Sequence, residues 1–332
     1  MASIKDIAKK LNLAVSTVSM ALNNNPTIST ETKKIVMATA KEMNYVKNGI
    51  AVDLQRKKTN TILLVVEDAS RAYFSTFISE FQKDIAEYEY DLLISTTYQG
   101  NMKTALRYIS ESRVDGAVVF TKTIPDDFLK QYASESLPIV VVGRKIVSEN
   151  LYSVYGDSMK SAKLITRYLI EQGHKKIAFM KGSGTTIGSS TRYKGFKETL
   201  KKFGLLDEHI FIDAKDSTFK AGYDATKELI KMNSNIDAIF YANDDIAFGG
   251  MEALLEEGIR IPEDVSVVGS NNLPLAKYVK PSLTTTYGNQ DLMARESVSM
   301  LMKALKKEII ENTTIKVETS IIIRESVKRR DE

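Results

Sequence analysis

From Thr61 to Ser270 the chain alternates short apolar runs with amphipathic stretches, and this alternation constrains the fold more than any single motif. The runs are TILLVVE (61–67), DLLIST (91–96), VDGAVVF (114–120), PIVVVG (138–143), a stretch around Tyr152–Val154, KKIAFMKG (175–182), HIFID (209–213), DAIFYA (237–242) and DVSVVGS (264–270). Most are continuously apolar rather than alternating, the pattern of strands covered on both faces. Helical periodicity fills the intervals at about 74–89, 101–112, 158–172, 189–203, 219–232 and 245–257. Strands joined by helices imply parallel sheets with helices on either side. Two successive series of this kind imply two lobes: about 60–157 with 289–320, and about 158–288 with the C-terminal end. The tail holds a helix at about 289–307 and a strand at about 316–323 that can return to the first lobe.

Ligands of open α/β sheets collect at the carboxyl ends of strands. Asp68–Phe74 follow the first strand, Thr121-Lys122 the third, Gly182–Arg192 the run KKIAFMK, Asn243-Asp244 the run DAIFYA, and Ser270-Asn271-Asn272 the last. Amide, hydroxyl and cationic groups beside Tyr73 and Phe74 suit a small polar ligand such as a sugar. Each position also has a simpler reading. Asn243 or Asp244 can cap the next helix, Asn271 and Asn272 can form a turn, and Arg192 can pair with a surface acid. GSGTTIGSS fits neither a Walker motif nor G-x-G-x-x-G and reads as a cleft loop. His174 and His209, the only histidines, lack ligand spacing, so no metal or other cofactor is expected.

Ahead of this core, residues 1–23 read MASIKDIAKKLNLAVSTVSMALN. Ser3 and Asp6 form a capping box for a helix whose Ile4, Ile7, Ala8 and Leu11 share a face. A tight turn at about 12–14 leads to a second short helix with Val18, Ala21 and Leu22 inward. Val15, Ser16, Thr17, Ser19 and Met20 lie outward or along its edges. A small uncharged face of this kind reaches base edges and thymine methyls in a DNA major groove. A third helix at about 30–44, capped by Ser29 or Thr30, packs through Ile35, Val36, Ala38, Thr39 and Met43, and Tyr45 closes the three-helix head.

Charge separates the same two regions. Residues 1–60 carry ten basic and four acidic side chains, a net of +6, whereas the whole chain is +4. A cationic head on a near-neutral body is the footprint of phosphate contact. With no cysteine there is no disulfide, thiolate metal site or cysteine nucleophile. No apolar leader opens the chain and no apolar run approaches ~18 residues, so a cytoplasmic protein without membrane partners is expected. Neither a nucleophile elbow nor a paired-carboxylate motif points to an enzyme.

Several residues carry a specific resemblance: Ile4-Lys5-Asp6-Ile7-Ala8, Ser16-Thr17-Val18-Ser19, Leu22-Asn23, Thr32, Asn44-Tyr45, Asn48, Ala51 and Leu54. In these the chain resembles the lac-repressor/galactose-repressor family of bacterial transcription regulators, and the likeness covers nearly its whole length. The resemblance implies a helix-turn-helix head (1–46), a hinge and linker (47–59), and a core (60–332) like a type I periplasmic binding protein, with the ligand between lobes. It implies a homodimer on double-stranded operator DNA, Lys5, Asn23, Tyr45, Asn48 and Lys57 among its contacts, and Leu54 wedged into the minor groove. Effector contacts fall at Tyr73, Phe74, Arg192, Asn243 and Asn271, with Thr121 and Lys122 nearby. The function implied is repression controlled by a sugar or sugar phosphate. The alternative within the family is a catabolite-control-type regulator governed by a protein corepressor. A sugar-binding protein without a DNA role is disfavoured by the head.

The chain departs from the family pattern at several points. Ala14 stands where a serine or threonine is common, Lys47 where proline is usual, Val52 where a basic residue is usual, and Asp53 adds a negative charge. Asn271 replaces the usual aspartate. Ser217 stands where an aromatic often stacks on the ligand, with Phe219 two residues on.

Overall fold

Ser3 opens the first helix, α1 (Ile4–Leu11), with a complete capping box. Its hydroxyl accepts from Asp6 N–H at 3.3 Å, and Asp6 Oδ2 accepts from Ser3 N–H at 2.8 Å. The Ser3 N–H and hydroxyl, both donating to Asp6 Oδ2 at 2.8 Å, hold that carboxyl below its ordinary range. Asn12, left-handed at φ 50°, ends the helix and turns the chain. α2 (Val15–Leu22) follows with no side-chain cap, because Ala14 offers no acceptor. Ser29 caps α3 (Thr30–Glu42) by accepting from Thr32 N–H at 3.1 Å. Ile7, Ala8, Val18, Ala21, Val36 and Ala40 make the head's core, with Leu22, Met43 and Tyr45 at its edge. One expectation is corrected here: Ile35 is 49% exposed and Ala38 is exposed, and Thr39 and Ala40 pack inward. The buried stripe runs 36, 39, 40, 43, and position 35 lies about 100° away from Val36 around the helix.

The computed structural model describes residues 2–46, 58–183, 188–232 and 235–330. The hinge positions Lys47, Asn48, Gly49, Val52, Asp53, Leu54 and Lys57 lie outside the described residues. The chain divides into two compact units, 1–59 and 60–332.

The second unit holds two six-stranded sheets. The first has the order β11 (Thr314–Val317), β5 (Leu151–Gly156), β4 (Ile139–Val142), β3 (Gly116–Phe120), β1 (Thr61–Val66) and β2 (Asp91–Thr96), with every pair parallel. The second has the order β12 (Ser320–Ile322), β10 (Thr284–Tyr287), β9 (Ser266–Ser270), β8 (Ala238–Tyr241), β6 (Ile177–Lys181) and β7 (Ile210–Asp213). It is parallel except for β12 against β10. β1, β3 and β4 are buried along nearly their whole length, as continuous apolar runs demand.

Helices cover both sheets: α4 (Ala72–Ala86), α5 (Lys103–Ser110), α6 (Asp126–Tyr132) and α11 (Gln290–Leu305) in the first lobe, α7 (Ser158–Glu171), α8 (Ser189–Lys202), α9 (Phe219–Lys231) and α10 (Asp244–Glu256) in the second. Three connections cross between lobes, after β5, after β10 and between β11 and β12. The tail therefore differs from the single strand expected at 316–323. It is two short strands, one in each lobe.

β10 was hidden from the sequence because it carries no apolar run. Thr284, Thr285 and Thr286 are fully buried, and their hydroxyls are satisfied by specific partners. Thr285 donates to Asp244, Thr286 bonds Ser270, and Thr284 accepts from Arg324 N–H. A buried polar strand is tolerated when each polar group is paired.

Candidate functional site

Two surfaces carry chemistry. The first lies on the head. Val15 (42% exposed) and Ser16 stand out from α2, and Thr17, Ser19 and Met20 are half-buried along its edges. The outer face is uncharged from Val15 to Leu22. Lys5, Lys9, Lys10, Lys34 and Lys41 are exposed on the flanking helices, with Lys10 paired to Glu42 at 2.7 Å. Asn23 is exposed at the end of α2, and Tyr45 packs half-buried against the head's core. A groove-sized uncharged strip framed by cations matches the division of labour in DNA recognition, with small groups reading bases and cations holding phosphates.

The second is a cleft between the lobes of the core, enclosing about 440 Å³ including the solvent at its mouth. Tyr73 lines it from α4. Arg192 lines it from α8, and Ser270 and Asn271 from the end of β9. The crossovers add Thr286, Gln290 and Thr319, which sequence reasoning missed. Their signal lies in topology: only the strand crossings bring them to this point.

Arg192 is at the centre. It is 7% exposed. Its Nη1 donates to the Ala242 carbonyl and its Nη2 to Asn271 Oδ1, both at 3.0 Å. Its Nε has no partner. Asn271 takes φ +116° and Asn272 φ +52°, at the chain reversal after β9, and the Asn271 side chain lines the cleft. The Asn271 N–H donates to the Thr286 carbonyl at 2.8 Å, and its own carbonyl accepts from Gln290 Nε2 at 2.9 Å. Gln290 Oε1 is buried and unpartnered.

Behind Arg192 lies Asp244, fully buried at the start of α10. Its oxygens accept from the Thr285 hydroxyl at 2.6 Å and Leu273 N–H at 2.7 Å. Burial pushes its carboxyl up to about 6, although those bonds and the Arg192 charge pull the other way. Burial lowers Arg192 and raises Tyr73, whose phenol the Arg192 charge pulls down. Lys122 is lowered by burial and by the cations Arg144 and Arg192, against Glu67.

Lys122 is exposed and does not line this cleft, and three further expected contacts stand back from it. Phe74 is 5% exposed and packs edge-on against Phe120 at 5.2 Å, inside the first lobe's core. Thr121 is buried. Its hydroxyl bonds Thr97 at 2.9 Å and accepts from Thr123 N–H at 3.1 Å, closing the loop after β3. Asn243 caps α10, its side chain accepting from Ile246 N–H at 2.9 Å. In each case a local bond or the core claims the side chain. Ser217 is buried and accepts from Ser183 N–H at 3.0 Å. Phe219 is half-exposed and does not line the cleft. His174 is fully buried between Asp237 and the Lys328 carbonyl, tying the tail to the second lobe. Among the described residues no group of three or more His, Asp or Glu side chains is placed to hold a metal. No helix among them is long and apolar enough to cross a membrane.

Comparison with known proteins covers both regions of the chain. Residues 59–324 match the family described as periplasmic binding proteins and sugar binding domain of LacI family, and residues 3–48 match bacterial regulatory proteins, lacI family. The HTH-type transcriptional repressor PurR of Pasteurella multocida is 28% identical over 333 residues, 99% of this chain and 100% of that one. The ribose operon repressor of Halalkalibacterium halodurans is 29% identical over 330 residues, 99% of this chain and 98% of that one. The lac repressor dimer bound to operator and the anti-inducer ONPF shares the fold, with a TM-score of 0.81 at 20% identity, covering 98% and 99% of the two chains. The chain belongs to the lacI family of bacterial regulatory proteins: it is a DNA-binding transcription regulator, not an enzyme, that joins a helix-turn-helix head to a ligand-binding core.

Proposed function

We propose that this regulator is a cytoplasmic, homodimeric repressor whose grip on operator DNA is set by a sugar or sugar derivative in the interlobe cleft. The observation that carries this reading is the pairing of an uncharged, exposed α2 face with a cleft whose wall holds unpartnered buried polar groups. Val15, Ser16 and Met20 face bases, with Thr17, Ser19, Asn23 and Tyr45 setting register. Lys5 and Lys57 hold phosphates, and Asn48 and Leu54 act at the minor groove. In the cleft Tyr73 and Asn271 position the ligand and Arg192 anchors it, with Lys122 supplying charge from the opposite lobe. Ligand closes the lobes and changes the spacing of the two hinges, which couples the sites.

The relatives named as a ribose operon repressor and as a repressor bound to an operator support this reading. A fluorescence titration of operator DNA with the full chain, with and without each sugar of a panel, tests it. A sugar that changes operator affinity at fixed salt is the expected result. Operator binding indifferent to every sugar, with a purified protein partner restoring control, contradicts it.

A further inference from the structure

The cleft carries a charge imbalance that a neutral ligand leaves uncorrected. Arg192 is more than nine-tenths buried, and its two bonds go to neutral acceptors, the Ala242 carbonyl and the Asn271 amide oxygen. Among the described residues no carboxylate lies within ion-pair distance of it. Asp244 favours the guanidinium only through space: its oxygens accept from the Thr285 hydroxyl and the Leu273 N–H, not from Arg192. Burying a guanidinium without a counter-ion is expensive, and arginine cannot shed its proton to escape.

The other charges do not cancel it. Lys122, exposed just after β3, does not line the cleft, and its own charge is disfavoured by Arg144 and Arg192. Arg144 adds to that field, although Asp126 pairs it at 2.9 Å. Glu67 offsets Lys122 in part. The Arg192 wall also holds an N–H and an oxygen waiting for partners: Arg192 Nε lacks an acceptor, and Gln290 Oε1, 3% exposed in its residue, lacks a donor. An anionic group with a hydroxyl beside it would satisfy both.

We infer that the effector of this cleft carries an anionic group, a carboxylate or a phosphate, seated on the Arg192 guanidinium, with a neighbouring hydroxyl donating to Gln290. The inference rests on the reading of the cleft as the effector site and narrows the effector's chemistry. The asparagine at 271 is what makes the difference. An aspartate there would neutralise Arg192 from within and leave the wall suited to a neutral polyol.

Thermal unfolding of the full chain tests this at constant ionic strength. The probes are inorganic phosphate, ribose 5-phosphate and gluconate, beside ribose and glucose as neutral counterparts. At least one anion is expected to raise the melting temperature of the wild type in a saturable way, while its neutral counterpart at equal concentration does not. Asn271→Asp is expected to fold, to melt higher than the wild type without any probe, and to lose the anion response. The phosphate and gluconate arms separate the two anion chemistries. Stabilisation by ribose or glucose but not by the anions overturns the inference and leaves the sugar-effector reading standing. An anion response unchanged in both Asn271→Asp and Arg192→Gln overturns it too, because the anion then binds elsewhere. No response to any probe overturns the inference as well, and the operator titration with the wider sugar panel then decides the sugar-effector reading.

Discussion

The head and the core use charge in opposite ways. The head's lysines are mostly exposed and in excess, with a small apolar core of six buried residues beneath them. The core is nearly neutral overall, but its decisive charges, Arg192 and Asp244, are buried. Exposed charge acts at long range, is screened by salt and costs little to keep. Buried charge acts at short range, escapes screening and holds pKa values away from their usual places. The first suits catching a polyanion, and the second suits recognising one small molecule.

Salt gives the largest expected separation. Operator affinity should fall roughly 10³-fold or more between 50 and 200 mM salt, as several phosphates per dimer are neutralised. Ligand binding in the cleft should change by about tenfold or less over the same range. Parallel titrations check this, and equal salt slopes would erase the distinction.

Acid comes next, and it acts on the core. The folded Asp244 carboxyl sits at about 6 against an ordinary 3.8. Between those values the folded chain holds a proton that the unfolded chain has released, so this group's contribution to stability falls as pH rises. The shift corresponds to about 3 kcal/mol. Urea unfolding of wild type and Asp244→Asn at pH 4 and pH 7 should show the wild type gaining about that much relative to the variant at the lower pH. A pH-independent difference would show that Asp244 is ionised at ordinary cost.

Arg192→Ala follows. Charge-assisted hydrogen bonds contribute roughly 1.5–3 kcal/mol, so ligand affinity should drop by about one to two decades. Calorimetry with whichever anion or sugar stabilises the wild type reads this directly. Unchanged affinity would remove Arg192 from the site.

The smallest effect belongs to the head. Ala14 has the extended backbone of a cap residue, φ −66° and ψ 144°, without a side chain to cap α2. Ala14→Ser should stabilise the head by about 1 kcal/mol, read by amide exchange in α2. Ser3→Ala should cost a similar amount by removing the α1 box. No change in either would mean that packing alone fixes these helices.

The head was largely legible because its logic is local. Ser3 and Asp6 are three residues apart, and the inward set Val18, Ala21 and Leu22 follows one helical period. The lobes were legible too, since apolar strands declare themselves one at a time. The cleft was legible only in part. Arg192 and Asn271, 79 residues apart, meet from a helix and from the end of a strand. Gln290 and Thr319 reach the site through lobe crossings, and β10 is a buried strand built of threonines. Phe74, Thr121 and Asn243 sat at the right strand ends, but nearby partners claimed their side chains. Sequence position marks the neighbourhood of a site, while the hydrogen-bond partners decide which neighbours face it.

Selection of bound duplexes from a random DNA pool, with the full chain and with Met20→Ala, tests the central claim most directly. The wild type should enrich a two-fold symmetric pair of half-sites about one or more helical turns apart. Met20→Ala should change the preferred base at matching positions in both half-sites, while Lys5→Ala should lower the yield without changing the sequence. No enriched sequence, or the same sequence from wild type and Met20→Ala, would contradict the assignment of α2 as the reading helix.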